Sequence, residues 1–260
     1  VTETLVPPPR RLLAGLALAV SLALLLVLAA VLLGDDREDR PVDQGSPGPV
    51  LLVPGYGGGT ASLQVLAADL RSRGREVEIV RAPGNGRGDL RGHAMLLAAA
   101  AARAIAEGAP SVDVVGFSAG GIVARVWAAE LDGADQARRI VTLGSPHHGT
   151  DLTHGTARPC PLGCRQLQAD SALLEDLNRG DETPAGPRWV SVWTADDRTV
   201  VPPTSSRLRG ATAFALQAVC PGLRVSHSDL PRTPAVAEIV EHELAAQEPD
   251  VPGPEVCGAP

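Results

Sequence analysis

The stretch from Ser111 to Leu131 limits the fold more than any other. A β-branched run, Ser111-Val112-Asp113-Val114-Val115, leads into Gly116-Phe117-Ser118-Ala119-Gly120-Gly121, and an Ala-rich, helix-compatible segment follows. Strand, glycine-flanked serine and helix in direct succession demand a sharp strand-to-helix turn, and only small flanking residues let the helix pack back against the strand. A serine at such a tip sits over a helix N-terminus, where developing negative charge is favoured. Ser118 is therefore a candidate nucleophile.

The rest of the chain repeats the alternation. Val50 to Val53, closed by Pro54-Gly55, reads as a short buried parallel strand. Leu63, Leu66 and Leu70 give Ser62 to Arg73 a helical spacing that stops at Gly74. Glu76 to Val80 reads as a strand, Leu90 to Glu107 as a helix ended by Gly108, Ser111 to Phe117 as the strand feeding Ser118, and Gly120 to Leu131 as the helix leaving it. Further strands are predicted at Ile140 to Leu143, Trp189 to Trp193 and Ala211 to Val219. Pro234 to Ala246 closes the chain as an amphipathic helix with Val236, Ile239, Val240 and Leu244 on one face. Alternating strands and helices predict an α/β fold, a mostly parallel sheet with helices on both faces. Thr150 to Pro187 is the least regular stretch, and long loops of this kind are often functional.

The N-terminus bears on location. Leu12 to Gly34 is apolar apart from Gly15 and Ser21, with Arg10-Arg11 before it and Asp35-Asp36 after it. As a helix it would reach about 35 Å, enough to cross a hydrocarbon core of about 30 Å. The arginines favour the cytoplasmic side, which sends the rest of the chain outside. Residues 1–34 are thus expected to be a signal anchor or a signal peptide. The anchor is preferred, because the apolar run exceeds a cleavable h-region and Ala17-Leu18-Ala19 lies inside it. Residues 35–49 read as a linker and 50–260 as one domain. Four cysteines suit an oxidising compartment. Cys160 and Cys164 bracket a tight loop and leave Cys220 with Cys257, though other pairings stay open. A zinc site at Cys160-x-x-x-Cys164 lacks a companion histidine pair. The formal charge of −7, scattered arginines and 2% aromatic content leave out the basic stripes and stacking platforms of a nucleic-acid binder.

A serine hydroxyl needs a base to take its proton. Of six histidines, His93 and His242 fall in predicted helices and are expected to be solvated. His147, His148 and His154 cluster after the strand ending at Gly144, and His147 and His148 suit a structural or lid role. His227 lies in a loop just before the final helix and is the expected base. The acid that orients the imidazole follows the strand ending at Trp193, as Asp196 or Asp197. The pattern Asp197-x-x-Val200-x-Pro202 favours Asp197. Two backbone N–H groups, those of Tyr56 and Ala119, are the expected oxyanion donors. Gly57 to Gly59 does not continue as a phosphate cradle, since no Gly-Lys-Ser/Thr follows.

Serine, acid and histidine in this chain order is the α/β-hydrolase order. The matching pieces are Val53-Pro54-Gly55-Tyr56-Gly57-Gly58, Gly116 to Gly121, Thr142-Leu143-Gly144-Ser145-Pro146-His147-His148-Gly149-Thr150, Asp197 to Pro202 and Val225 to Pro231. Together they resemble the bacterial class 2 lipase family, of the secreted actinobacterial type, from about Val50 to Ala246. The resemblance implies an α/β-hydrolase fold and cofactor-free hydrolysis of carboxylic esters, acylglycerols or short-chain esters, with Phe117 and His148 beside the substrate. Two positions depart from the pattern: Pro54 and Phe117 stand where many members carry His. The same triad would also serve an amidase, a thioesterase or an acyltransferase. An inactive envelope-tethered binding module is the reading outside enzymes.

Overall fold

The computed structural model describes residues 42–151 and 160–258. The apolar stretch Leu12 to Gly34, the first part of the expected linker, and His154 lie outside the described residues. Among those described, no helix is long and apolar enough to cross a membrane.

In chain order the elements are β1 (Val50–Val53), α1 (Ala61–Ser72), β2 (Val77–Ile79), α2 (Leu90–Ala106), β3 (Val112–Phe117), α3 (Ala119–Glu130), β4 (Ala137–Leu143), the short α4 (Leu162–Gln166) and α5 (Ala172–Asn178), β5 (Arg188–Trp193), β6 (Thr212–Ala215), the single turn α6 (Leu216–Val219), and α7 (Pro234–Ala245). The six strands form one sheet in the order β2-β1-β3-β4-β5-β6, every pairing parallel. After β1 the chain builds outward to β2, then crosses back to place β3 on the other side of β1. The connections leaving β1 and β3 therefore diverge, and the carboxyl ends of these strands open a crevice between them.

Side-chain alternation along the strands divides the core in two. Val50, Leu52, Val115, Val141, Val190 and Val192 face one way and meet Leu63, Leu66 and Leu70 of α1 and Val236, Ile239 and Val240 of α7. Leu51, Val53, Val114 and Ile140 face the other way and meet Leu90, Ala94 and Leu97 of α2 and Ile122, Val126 and Trp127 of α3. Both faces of the sheet are covered, which is why its strands read as continuous apolar runs rather than alternating ones.

Two strands, β4 and β6, differ from expectation by three residues or more at one end. β4 starts three residues early, at Ala137, and takes in Arg138 and Arg139, both buried. Each has partners: Arg138 donates to Asp113 Oδ2 at 2.5 Å and to the Leu244 carbonyl at 2.7 Å, and Arg139 donates to the Ala246 carbonyl and to Gln44 Oε1. In the other direction, β6 ends at Ala215 and the chain turns into α6. Gln217 is held there by its side chain, which donates to Thr194 Oγ1 and the Leu223 carbonyl and accepts from Ala195 N–H. The end of the expected linker is fastened to the domain, with Ser111 Oγ donating to the Ser46 carbonyl and Asp113 N–H to the Pro49 carbonyl. Disulfides join Cys160 to Cys164 and Cys220 to Cys257, in keeping with an extracytoplasmic compartment. His93 is not solvated as expected: it faces inward from α2, and burial pushes its pKa down. His242 is partly exposed and meets Asp250 at 2.8 Å.

Candidate active site

Ser118 stands between β3 and α3 with φ 54° and ψ −123°. A positive φ with strongly negative ψ is strained for a residue with a side chain, at a cost of roughly 1–3 kcal/mol. The turn is held on both sides: Ser118 N–H donates to the Leu143 carbonyl at 2.8 Å, and the Ser118 carbonyl accepts from Gly121 N–H at 3.1 Å. Its glycines are a steric necessity. A Cβ on Gly116 would stand 2.6 Å from Gly121 N, and one on Gly120 would stand 2.2 Å from the Val53 carbonyl oxygen. β3, α3 and β1 approach one another too closely for any side chain.

Asp197 and His227 reach the same end of the sheet from separate elements. Asp197 follows β5, and His227 opens a 3₁₀ turn, His227–Arg232, ahead of α7. His227 Nδ1 and Asp197 Oδ2 are 2.7 Å apart, and both side chains are buried. The other carboxylate oxygen, Oδ1, accepts from Thr199 N–H and Val200 N–H, each at 2.8 Å. An ionised carboxylate only accepts, so Nδ1 carries the proton and Nε2 keeps its lone pair. The imidazole packs against Phe117, ring centroids 5.1 Å apart, which sets it beside the turn that carries Ser118. Gly144 also lies close to the ring: an added methyl carbon there would be 3.3 Å from Nδ1. A cavity of about 330 Å³ opens along the outer side of His227, lined by Asp196, Thr199, Arg224 and Ser226 among others; Ser118 does not line it.

Asp196 points elsewhere. It pairs with Arg224 and accepts from Gln217 Nε2 at 3.3 Å. The loop after β1 also comes up against the serine, since a Cβ on Gly55 would meet Ser118 Cβ at 3.0 Å. Within that loop Gly57 N–H donates to the Gly86 carbonyl at 3.0 Å, and the Arg87 guanidinium lies 5.8 Å from the centre of the Tyr56 ring. Tyr56 and Ala119 thus belong to the two segments that border Ser118.

The histidines after β4 diverge. His147 is fully buried, its Nε2 at 3.0 Å from Thr142 Oγ1. Burial, and then the charges of Arg125 and His148, push its pKa well below the ordinary imidazole value, so it is a neutral structural residue. His148 turns its ring nitrogens toward the Ser205 carbonyl and Glu182 Oε1, at 3.3 and 3.4 Å. It lies at the rim of an open cavity of about 280 Å³ that Thr150, Gln168, Val201 and Pro202 also line.

Two supporting residues were not anticipated. Thr150 Oγ1 donates to the Thr199 carbonyl and accepts from Val201 N–H, both at 2.9 Å, and so clamps the loop that presents Asp197. Arg125, buried in α3, donates to the carbonyls of Leu177 and Glu182 and to Asn178 Oδ1, fixing the end of α5 to the helix behind Ser118. Burial lowers its pKa to about 10, which leaves it charged at neutral pH. Its tethering role has no local sequence signal, because a lone arginine in an Ala/Val helix reads as a surface residue.

Comparison with known proteins agrees with this architecture. A family model described as the PGAP1-like alpha/beta domain matches residues 88–158, the portion that contains β3, Ser118, α3 and β4. No curated protein matches the chain in sequence. Aspergillus fumigatus lipase B is similar in structure with 20% identity and a TM-score of 0.67, covering 86% of this chain and 59% of its own. The chain therefore spans less than two thirds of that lipase. The mature Bacillus licheniformis lipase BlEst2 is similar with 16% identity and a TM-score of 0.63, covering 81% of this chain and 95% of its own. A bacterial membrane phospholipase A is similar with 19% identity and a TM-score of 0.50, covering 90% and 97%. The chain has the α/β-hydrolase fold.

Proposed function

We propose that the chain is a serine hydrolase that cleaves carboxylic esters as lipases and esterases do, in the manner of the secreted bacterial class 2 enzymes. The observation that carries this reading is the buried 2.7 Å contact between His227 Nδ1 and Asp197, against the ring of Phe117 and next to a strained serine. In this reading Ser118 Oγ attacks the acyl carbonyl as His227 Nε2 takes its proton, and Asp197 stabilises the imidazolium. The Tyr56 and Ala119 N–H groups hold the oxyanion. Collapse expels the alcohol, which takes the proton from His227, and water then frees the acid from the acyl-enzyme by the same route. No step calls for a cofactor. Phe117 would wall the acyl site, and His148 would meet the outer part of a long substrate.

The structural similarity to two lipases and a phospholipase supports an ester, and a lipid ester in particular, as substrate. The apolar stretch Leu12 to Gly34 and the two disulfides support an extracytoplasmic domain, anchored to the membrane or secreted. Hydrolysis of p-nitrophenyl esters of graded acyl length tests the proposal. Turnover is expected with at least one ester and is expected to vanish in Ser118→Ala; turnover that survives this substitution would refute it.

A further inference from the structure

The strands' amino ends, remote from Ser118, hold a second group of ionisable side chains. Here the segment following α7 returns across the sheet. It is held by Arg139 at the start of β4, which donates to the Ala246 carbonyl, by Arg188 at the start of β5, which pairs with Glu248 at 2.6 Å, and by Thr212 at the start of β6, which donates to the Pro249 carbonyl. This path brings Asp250 back to the last turn of α7, beside His242 and Glu243. One ligand atom from each of the three lies within 4.8 Å of the other two.

Glu243 is the anomaly. It is 0% exposed, and neither of its carboxylate oxygens has a hydrogen-bond partner among the described residues. Withdrawing a carboxylate from water without a donor is strongly unfavourable, so such groups are normally paired or bound to a metal. His242 and Arg139 act on it electrostatically, but neither donates to it: the terminal nitrogens of Arg139 are taken up by Gln44 Oε1 and the carbonyls of Ala246 and Gln247, and its Nε has no partner among the described residues. Burial accordingly pushes the Glu243 carboxyl up to about 7.

We propose that His242, Glu243 and Asp250 bind one divalent transition cation of the zinc type, which clips the returning tail to α7. One imidazole nitrogen and two carboxylate oxygens suit a borderline cation; calcium would call for six to eight oxygens. With bonds of about 2.0–2.2 Å, tetrahedral ligand atoms lie roughly 3.3–3.6 Å apart. The 2.8 Å contact between His242 and Asp250 would open slightly and the widest spacing would close by about 1 Å. The Asp250 side chain is 70% exposed and free to make that adjustment. The partial exposure of His242 and Asp250 gives the cation a way in and water a fourth position. Buried Glu243 supplies a carboxylate that no hydrogen-bond donor among the described residues satisfies. The site lies at the opposite end of the strands from Ser118, so the role is structural, a second fastening for a tail already held by Cys220–Cys257.

The test is titration of chelator-treated full chain with ZnCl₂, followed by calorimetry and by thermal unfolding. One Zn²⁺ per chain is expected, with a rise in Tm. Changing a residue that only orients a ligand weakens metal affinity by about 10–100-fold, so His242→Gln and Asp250→Asn should each weaken binding at least about tenfold and abolish the rise in Tm. Glu243→Gln should do the same, and the exposed Asp250→Asn keeps the test decisive if that buried variant does not fold. His227→Gln serves as the control for capture at the candidate active site and should bind as the parent does. Absence of stoichiometric binding, binding unchanged in both His242→Gln and Asp250→Asn, or binding lost only in His227→Gln would each overturn the proposal.

Discussion

Asp197→Asn is the substitution that separates the two neighbouring aspartates most sharply. The amide has the size of the carboxylate, so its oxygen can still accept from Thr199 N–H and Val200 N–H. What changes is the atom facing His227 Nδ1, 2.7 Å away. An NH₂ there donates, which forces the imidazole to place its proton on Nε2 and removes the lone pair that the proposed attack by Ser118 requires. The analogous exchange in another serine hydrolase lowers kcat by about 10⁴, and a loss of that order, about 5.5 kcal/mol of barrier, is expected here. Asp196→Asn breaks an ion pair with Arg224, whose side chain is 84% exposed, and such pairs contribute at most about 1 kcal/mol to stability. Its kcat should stay within about twofold of the parent. The assay is steady-state ester hydrolysis with circular dichroism to confirm folding. A folded Asp197→Asn variant within tenfold of the parent, or a larger loss in Asp196→Asn, would refute the assignment of the acid.

Three further outcomes follow from the packing. Arg125→Ala leaves the acceptors of Leu177, Asn178 and Glu182 unpaired and opens a cavity behind α3, so urea unfolding should show a loss of about 3 kcal/mol or more; a loss below about 1 kcal/mol would mean the tether is idle. Replacing Cys220 and Cys257 by Ser opens a loop with a sequence separation of 37, against 4 for Cys160 and Cys164, so chain entropy gives stability losses of about 4 and about 2 kcal/mol; equal losses on urea unfolding would contradict this. His147 and His93 have depressed pKa values because they are buried. Below about pH 6.5 these two groups bind more protons in the unfolded chain than in the folded one and destabilise it as pH falls, whereas Glu243, raised by burial to about 7, acts in the opposite sense over the same range. Between pH 7 and 5 the urea midpoint of the parent should fall relative to that of His147→Gln, which lacks one of the two histidine contributions; equal pH slopes in the two proteins would count against a neutral buried His147.

Much of this could be read from the sequence where local pattern and tertiary demand coincide. Val50 to Val53 is buried on both faces and reads as apolar throughout, so its bounds were legible. Ser118 was legible because its glycines answer a steric need inside the motif itself. The reading weakened where long-range partners override local character. Arg138 and Arg139 look like a loop before a strand, yet Asp113 and the tail after α7 neutralise or accept from them and let β4 begin at Ala137. Leu216 to Val219 has strand-like residues but turns because Gln217 is bound by Thr194, Ala195 and Leu223. With 5 and 7 residues, α4 and α5 are too short for a helical period to show in the irregular stretch after Thr150. For the acid, spacing favoured Asp197, and the direction of each carboxylate shows the physical difference: one faces a buried imidazole, the other an exposed arginine.

Reaction with a fluorophosphonate probe addresses the central claim most directly, because the probe phosphonylates only a serine whose proton a neighbouring base removes. Peptide mass mapping should place a single adduct on Ser118, absent in Ser118→Ala and formed far more slowly in His227→Gln. A folded chain that takes up no probe, or takes it up equally well without His227, would contradict the account.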